Sequence, residues 1–240
     1  MGLTIHYKLS THKPWSSEDV REWLEIMADY ARHIGCASVG PVVPAQKERD
    51  VTNRMHKVGR NHTTRYIPIP AEEGSVLLID VGAGCQFLAL SLCKYPGQWR
   101  CQHGHSFHRW YSTKITDEWQ FGWFCKTQFA GQHGPAHFLR CHKSVISLLD
   151  FCRKAGLDVS VRDEAGYWEQ RDESELLTTL RRSEAMLAAL GGLLKDTVDT
   201  GGGQMITSPI FDYANFEHLE HEGWERFGGH FAALKKGLSR

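Results

Sequence analysis

The feature that most limits how this chain can fold is a strand–helix–strand pattern that begins at Phe121. In residues 121–129 aromatic and apolar side chains alternate with polar ones, which places Lys126 and Gln128 on the opposite face of a predicted strand. In residues 136–155 apolar side chains recur at spacings of three and four, which predicts a packed helix. Gly156 ends that helix, and residues 157–162 alternate again as a half-buried strand does. A crossover of this length predicts two parallel strands.

Polar side chains lie at the ends of both predicted strands. Parallel strands end at the same edge of a sheet, so we expect these side chains to converge. The candidate ligand-binding residues in this region are Lys126, Gln128, His137, Asp163, Glu164, Tyr167 and Glu169. An amine, an imidazole and adjacent carboxylates could transfer protons, hold a metal or clasp a polar ligand. The alternative is purely structural: residues 163–166 form a solvated turn, and Lys126 pairs with a neighbouring acid.

The charge balance argues against nucleic-acid and membrane partners. Lys plus Arg and Asp plus Glu number 28 each, so the chain has no overall field that would gather a polyanion or an anionic lipid surface. A basic segment over residues 47–65 is interpreted as a solvated stretch offset by Glu48 and Asp50. The longest apolar runs are too short to cross a bilayer. We therefore expect no nucleic-acid partner and no membrane association, and we leave open whether the protein forms an oligomer.

Cysteine usage predicts reduced thiols and a cytoplasmic protein. The chain has seven cysteines, an odd number, and no Cys-x-x-Cys pair. Residues 1–13 alternate like a strand and lack the charged start and apolar run of a signal peptide. Cys125 and Cys141 each fall on an apolar stripe, where a buried and inert thiol is expected.

The remaining patterns predict an α+β fold in two layers, with helices packed on a mixed β-sheet and a C-terminal helical extension. We expect one α+β domain over residues 1–200, and a glycine-rich break with a helical tail, divided at Gly223 and at Gly228, over residues 201–240. Within the domain, residues 36–74 are predicted to be a long connection with one short helix at 46–56. Residues 75–81 and 86–93 are predicted to be strands of a hairpin.

Two motifs for a metal or a cofactor are weak. His103, His105 and His108 lie near Cys101, but their spacing does not match the two ligand pairs of a closed zinc site. Residues 77–84 superficially resemble the glycine-rich loop of S-adenosylmethionine-dependent methyltransferases, although the third glycine is missing and a hairpin is favoured. The cofactor, the metal and any catalytic residues are therefore left unknown.

Three segments of the chain resemble a family of uncharacterised bacterial proteins. They read T-I-H-Y at Thr4, K-T-Q-F-A at Lys126 and D-E-A-G-Y-W-E at Asp163, where the family has T-I-H-Y, K-T-Q-(Y/F)-A and D-E-x-x-Y-W-E. The resemblance spans roughly residues 1–180 and brings neither a reaction nor a cofactor. It implies that one pattern includes His6, Lys126, Gln128, His137, Asp163, Glu164, Tyr167 and Glu169.

The leading functional hypothesis is a cytoplasmic module that binds a small polar ligand or a protein partner through the cluster around Lys126 and residues 163–169. One alternative is a metal-assisted hydrolase that uses Glu164 or Glu169 as base, with His6 or His137 as ligand or proton carrier. Another is a structural subunit that docks a second chain through exposed aromatic residues, namely Trp99, Phe107, Trp110, Tyr111 and Trp119.

Overall fold

A computed structural model describes residues 3–45, 51–58, 63–103, 107–112, 118–198 and 207–238, with side chains described in 3–45, 69–98, 118–195 and 207–231. The strands are β1 (Thr4–Thr11), β2 (Ser38–Val39), β3 (Val43–Pro44), β4 (Val51–Val58), β5 (Thr63–Pro70), β6 (Glu73–Asp80), β7 (Leu88–Lys94), β8 (Gln98–His103), β9 (Phe107–Ser112), β10 (Trp119–Lys126) and β11 (Asp158–Asp163). The helices are α1 (Ser17–His33), α2 (Pro135–Lys154), α3 (Tyr167–Gln170), α4 (Glu173–Val198) and α5 (Phe216–Leu238), with 3₁₀ turns at Gln128–His133 and Pro209–Asp212.

The α+β class is confirmed, but the sheet is antiparallel where a mixed sheet was expected. Its strand order is β11-β1-β10-β7-β6-β2, with β3 also paired to β6, and every strand pair in the described part of the chain is antiparallel. The predicted hairpin is confirmed as β6 and β7, which pair through Leu77 and Leu90 at the centre. Polar side chains can therefore gather at either end of this sheet or on either of its faces.

The strand–helix–strand unit has the expected directions but not the expected neighbours. Strands β10 and β11 both pair antiparallel with β1, so they run parallel to each other while β1 lies between them. The alternation of β1 explains this position, because Ile5, Tyr7 and Leu9 are buried against the helices. A strand buried on one face and paired on both edges belongs inside a sheet.

Helices α1 and α2 cover one face of the sheet and form the second layer. Ser16 caps α1 by accepting a hydrogen bond from the Asp19 N–H, and the Asp19 carboxylate accepts one from the Ser16 N–H in return. The apolar stripe of α1 includes Leu24 and Met27, and both side chains are fully buried in the same core as Ile5. The face of the sheet opposite this core remains available for polar side chains.

The connection over residues 36–74 is built differently from the prediction. Strands β4 and β5 pair along their whole length as a separate hairpin, so the short helix expected at 46–56 is wrong for residues 51–56. The sequence there is Val-Thr-Asn-Arg-Met-His, in which β-branched residues favour a strand and no apolar stripe of helical period is present. Residues 46–50 lie outside the described part of the chain.

The tail is one helix where a helix divided at glycines was expected. Helix α5 continues through Gly223 and Gly228 and packs along α4, with Phe231 of α5 buried beside Leu193 of α4. A Cβ atom at Gly223 would lie 2.0 Å from the carbonyl oxygen of Ala185, so this glycine permits close helix packing and does not end the helix. The expected boundary at residue 200 falls in 199–206, outside the described residues.

No helix in the described ranges combines the length and the apolar character that crossing a membrane requires.

Candidate functional site

The sheet itself separates the residues that the sequence predicted to converge. Asp163 pairs with Ile5 and therefore lies on the face covered by α1 and α2, whereas Lys126 pairs with Thr4 and lies on the opposite face. All of these positions are at the end of the sheet where β1 begins, as expected. Lys126 and Asp163 therefore do not converge, because their partners Thr4 and Ile5 are successive residues of β1 and point to opposite faces.

Asp163 belongs to a buried polar network on the helix-covered face. Its carboxylate lies 3.1 Å from His142 Nε2, and His142 Nδ1 lies 2.9 Å from Thr127 Oγ1. Burial by itself would raise the pKa of Asp163, but the interactions with His142 and with the N–H groups of Ala165 and Trp168 hold that pKa below its ordinary value. The side chains of His142 and Asp163 have no solvent exposure, and the part of Asp163 in a ligand site stays a prediction.

Tyr167 and Gln128 also have structural contacts. The Tyr167 ring is buried and meets the His142 ring edge-on, with 5.9 Å between the ring centres. Gln128 Oε1 accepts a hydrogen bond of 3.1 Å from the Leu3 N–H, which secures the chain just before β1. Neither contact requires a ligand. The place of these two residues in a ligand site stays a prediction.

His6, Glu164 and Lys126 lie on the opposite face, where the sheet is partly open. His6 Nε2 is 3.4 Å from Glu164 Oε1, and the other carboxylate oxygen of Glu164 accepts a hydrogen bond from the Thr4 N–H. The rings of His6 and Phe124 are 5.9 Å apart, and the Lys126 Nζ is also 5.9 Å from the Phe124 ring centre. The structure therefore brings two of the predicted site residues, His6 and Glu164, into contact, and their role in ligand binding stays a prediction.

His137 and Glu169 lie away from that group. His137 is in the first turn of α2, where its Nε2 is 2.9 Å from the carbonyl oxygen of Ala83 in the β6–β7 loop. Glu169 is exposed on the short helix α3. Trp119, one of the aromatic residues expected to dock another chain, is buried and donates its indole N–H to the Trp15 carbonyl. The side chains of residues 99–111, which include the other expected docking aromatics and the histidines near Cys101, lie outside the described residues.

A cavity of about 520 Å³ lies between the end of the sheet and the helices α4 and α5. Strand β11 contributes Arg162, and Glu164 follows directly after the strand. The full lining is Leu3, Arg162, Glu164, Thr179, Arg182, Ser183, Met186 and Phe227. The volume falls within the range of roughly 300–1,000 Å³ that small-ligand sites occupy. Of the residues predicted from the sequence, Glu164 is the one that lines this cavity, and His6 contacts it.

Two arginines, Arg162 and Arg182, line the cavity. The ion pairs formed by arginines among the described residues involve neither Arg162 nor Arg182. The Arg182 guanidinium instead lies 5.8 Å from the centre of the Phe227 ring. Glu164 is the one carboxylate in the lining. The lining therefore has an excess of positive charge and suits an anion.

Ser183 adds an unsatisfied hydroxyl to this lining. The residue is 9 % exposed, and its Oγ is buried without a hydrogen-bond partner among the described residues. A helical serine usually donates to the carbonyl four residues earlier, as Ser144 does to Arg140 at 2.8 Å. A buried hydroxyl without a partner is unfavourable by about 1–3 kcal/mol, which a bound ligand or water would offset.

Helical spacing is the sequence signal that could have found part of this cavity. Thr179, Arg182, Ser183 and Met186 follow the i, i+3, i+4, i+7 pattern, so they form one stripe along α4. This stripe lies beside a second one, the leucine stripe that predicts the helix, which consists of Leu176, Leu177, Leu180, Leu187, Leu190 and Leu194. The contributions of Arg162 and Phe227 depend on how β11 and α5 pack against α4, and no local pattern gives that packing.

The described side chains include no group of three or more His, Cys, Asp or Glu residues arranged to hold a metal ion. The metal-assisted alternative therefore gains no support from this part of the chain.

Comparisons with models of protein families, with curated proteins and with solved structures find no match to this chain.

Proposed function

We propose that this protein binds a small organic anion in the cavity between the sheet end and helices α4 and α5, as a cytoplasmic ligand-binding module. The observation that carries the proposal is that Arg162 and Arg182, neither of which forms an ion pair with another described residue, line one cavity together with Ser183, whose hydroxyl has no hydrogen-bond partner among the described residues. Each guanidinium can bind a carboxylate or a phosphate through two parallel hydrogen bonds, and the serine hydroxyl adds one further donor.

The apolar part of the lining supports a ligand with an aromatic or aliphatic body. Leu3, Met186 and Phe227 supply this part, and the flexible thioether of Met186 adapts to flat rings. The carboxylate of Glu164 would accept a hydrogen bond from a donor on the same ligand. The ligand class is therefore an anionic head joined to an apolar body, with room for one hydrogen-bond donor.

Phenyl phosphate is a minimal probe of this class, because it joins a phosphate to one aromatic ring. We expect calorimetric titration to show binding to the wild-type protein, and we expect R162A and R182A each to weaken that binding about tenfold or more. S183A should weaken it about threefold to tenfold, because one neutral hydrogen bond is lost. The stability of S183A should equal or slightly exceed that of the wild type, since its hydroxyl has no partner to lose.

Two controls distinguish binding in the cavity from a general electrostatic attraction between the ligand and the protein surface. R21A removes an exposed arginine of α1 that pairs with Glu18 outside the cavity, and it should leave phenyl phosphate binding unchanged. Inorganic phosphate should bind more weakly than phenyl phosphate, since it lacks the body that contacts Phe227. The proposal fails if wild-type protein does not bind phenyl phosphate, or if R21A weakens binding as much as R182A does.

A further inference from the structure

Glu164 is the acidic residue of the cavity lining, and hydrogen bonds to the start of β1 fix its position. The Glu164 N–H donates to the Thr4 carbonyl oxygen at 3.1 Å, and the Thr4 N–H donates to Glu164 Oε2 at 3.2 Å. These two reciprocal bonds hold both the backbone and the side chain of Glu164 against one residue. The carboxylate is therefore placed in the lining without the help of a ligand.

Among the described residues, the contacts of the Glu164 carboxylate leave part of its capacity as an acceptor unused. A carboxylate has about four positions at which it can accept a hydrogen bond. The Thr4 N–H takes one of them, and His6 Nε2 lies 3.4 Å from Oε1, which is longer than a normal hydrogen bond. Glu164 forms an ion pair with neither Arg162 nor Arg182 in the described part of the chain, although all three residues line the cavity.

The charges of the lining define the charges of a complementary ligand. Arg162 and Arg182 contribute two positive charges, and Glu164 contributes one negative charge. A phosphate monoester carries a charge of roughly −1.5 to −2 at pH 7, which matches the two guanidiniums. A protonated amine on the same ligand would match the Glu164 carboxylate.

The spacing along the chain separates these two parts of the site. Arg162 pairs with His6 and the Glu164 N–H bonds to Thr4, so Arg162 and Glu164 lie on the same face, two residues apart along an extended chain. Their Cα atoms are therefore about 7 Å apart. A ligand that meets both residues must carry its two charged groups at a distance from each other, with its body between them.

We propose that the ligand is a zwitterion in which a phosphate monoester and a protonated amine lie at opposite ends of an aromatic or aliphatic body. This inference rests on the proposed function, since it concerns the same cavity, and it makes Glu164 the residue that selects among organic anions. An anion without an amine brings its negative charge into the cavity of the Glu164 carboxylate and leaves that carboxylate without a cationic partner. Such a ligand is disfavoured relative to the zwitterion.

Three phosphate esters test this selection by calorimetric titration at pH 7. The zwitterion is 4-(2-aminoethyl)phenyl phosphate, its uncharged analogue is 4-(2-hydroxyethyl)phenyl phosphate, and phenyl phosphate has neither group. The wild type should bind the aminoethyl ester about tenfold more tightly than the hydroxyethyl ester, because a hydrogen bond between two charged groups contributes more than one from a neutral hydroxyl.

The variant E164Q removes the charge but keeps an oxygen that can accept the hydrogen bond from the Thr4 N–H. It should reduce the preference for the aminoethyl ester over the hydroxyethyl ester to less than about twofold. The same variant should bind phenyl phosphate about twofold to threefold more tightly than the wild type does, because the carboxylate no longer repels the anion. A substitution that merely damaged the site would weaken the binding of all three esters.

E118Q is the matched control. Glu118 is also a glutamate beside a histidine, with its Oε1 2.9 Å from His12 Nδ1, but it does not belong to the cavity lining. This variant should keep the full preference for the aminoethyl ester.

The inference and the proposed function can fail separately. If the wild type binds phenyl phosphate but does not prefer the aminoethyl ester, or if E164Q keeps the whole preference, the zwitterion is overturned and the anion site stands. If the wild type binds none of the three esters, both are overturned. The comparison of the esters on the wild type requires no variant, so it decides the matter if E164Q does not fold.

Discussion

Substitution of Asp163 by alanine should lower the free energy of unfolding by about 3–5 kcal/mol, the largest single effect that we expect in this protein. The change removes the acceptor for the Ala165 and Trp168 N–H groups, at 2.9 Å and 3.0 Å, and leaves His142 buried without its carboxylate. Urea unfolding at pH 7 would measure it as a lower midpoint at constant slope.

Two comparisons show whether the buried network is the cause. D158A changes the same residue type on the same strand, but the Asp158 side chain is largely exposed. Its carboxylate forms an ion pair with His12 at 3.3 Å, and a loss under about 1 kcal/mol is expected. The pKa of Asp163 is lower in the folded protein than in the unfolded chain, where it is about 4. The stability that Asp163 contributes is therefore fully present above pH ~4, and it is lost as the pH falls through the pKa of the folded protein. The gap between wild type and D163A should therefore be constant near neutral pH and shrink in acid. A gap that widened in acid would contradict the assignment.

Substitution of Gly223 by alanine should destabilise the protein by about 1–3 kcal/mol, because α5 must move away from α4. The new Cβ atom would lie 2.0 Å from the Ala185 carbonyl oxygen and 2.7 Å from the Ala189 Cβ. Helix α5 carries Phe227 into the cavity, so phenyl phosphate binding should weaken as well. Thermal unfolding and calorimetric titration measure the two effects.

G229A introduces the same methyl group six residues later on α5, where no described atom beyond the neighbouring residues and the backbone of the same helix lies within 4 Å of the new Cβ position. It should stabilise the protein by up to about 1 kcal/mol, since alanine favours a helix over glycine. The opposite signs of the two substitutions test the helix packing directly. A loss of stability in G229A equal to that in G223A would show that the tail is not docked as described.

Local patterns of the sequence were sufficient for the α+β class, for the β6–β7 hairpin and for the direction of β10 relative to β11. They could not show that β1 separates those two strands, because strand order depends on pairing between distant parts of the chain. Asp163 and Lys126 lie on different faces because their partners on β1, Ile5 and Thr4, are successive residues of that strand. The contact between His6 and Glu164 follows from the place of β1 between those strands, since β1 pairs with β11.

Part of the candidate cavity could not be predicted from the sequence, because it too depends on contacts between distant parts of the chain. Arg162 was assigned from its alternation to the polar face of a strand, and Ser183 lies on α4 beside its leucine stripe. Arg162 and Ser183 line the same cavity only because α4 packs across the end of the sheet. That packing is determined by tertiary contacts and not by helical propensity. The prediction that Gly223 divides the tail helix is wrong. Glycine weakens an isolated helix, but here its lack of a side chain permits close contact between α5 and α4.

The central claim, that Arg162 and Arg182 hold an anion in this cavity, is tested most directly by the arginine Nε–H resonances in an NMR titration with phenyl phosphate. R162K and R182K assign the two signals by their disappearance. Both signals should shift with the same saturation curve, while the signal of Arg21 should stay in place. Binding that moves neither signal, or that shifts Arg21 as strongly as Arg182, would contradict it.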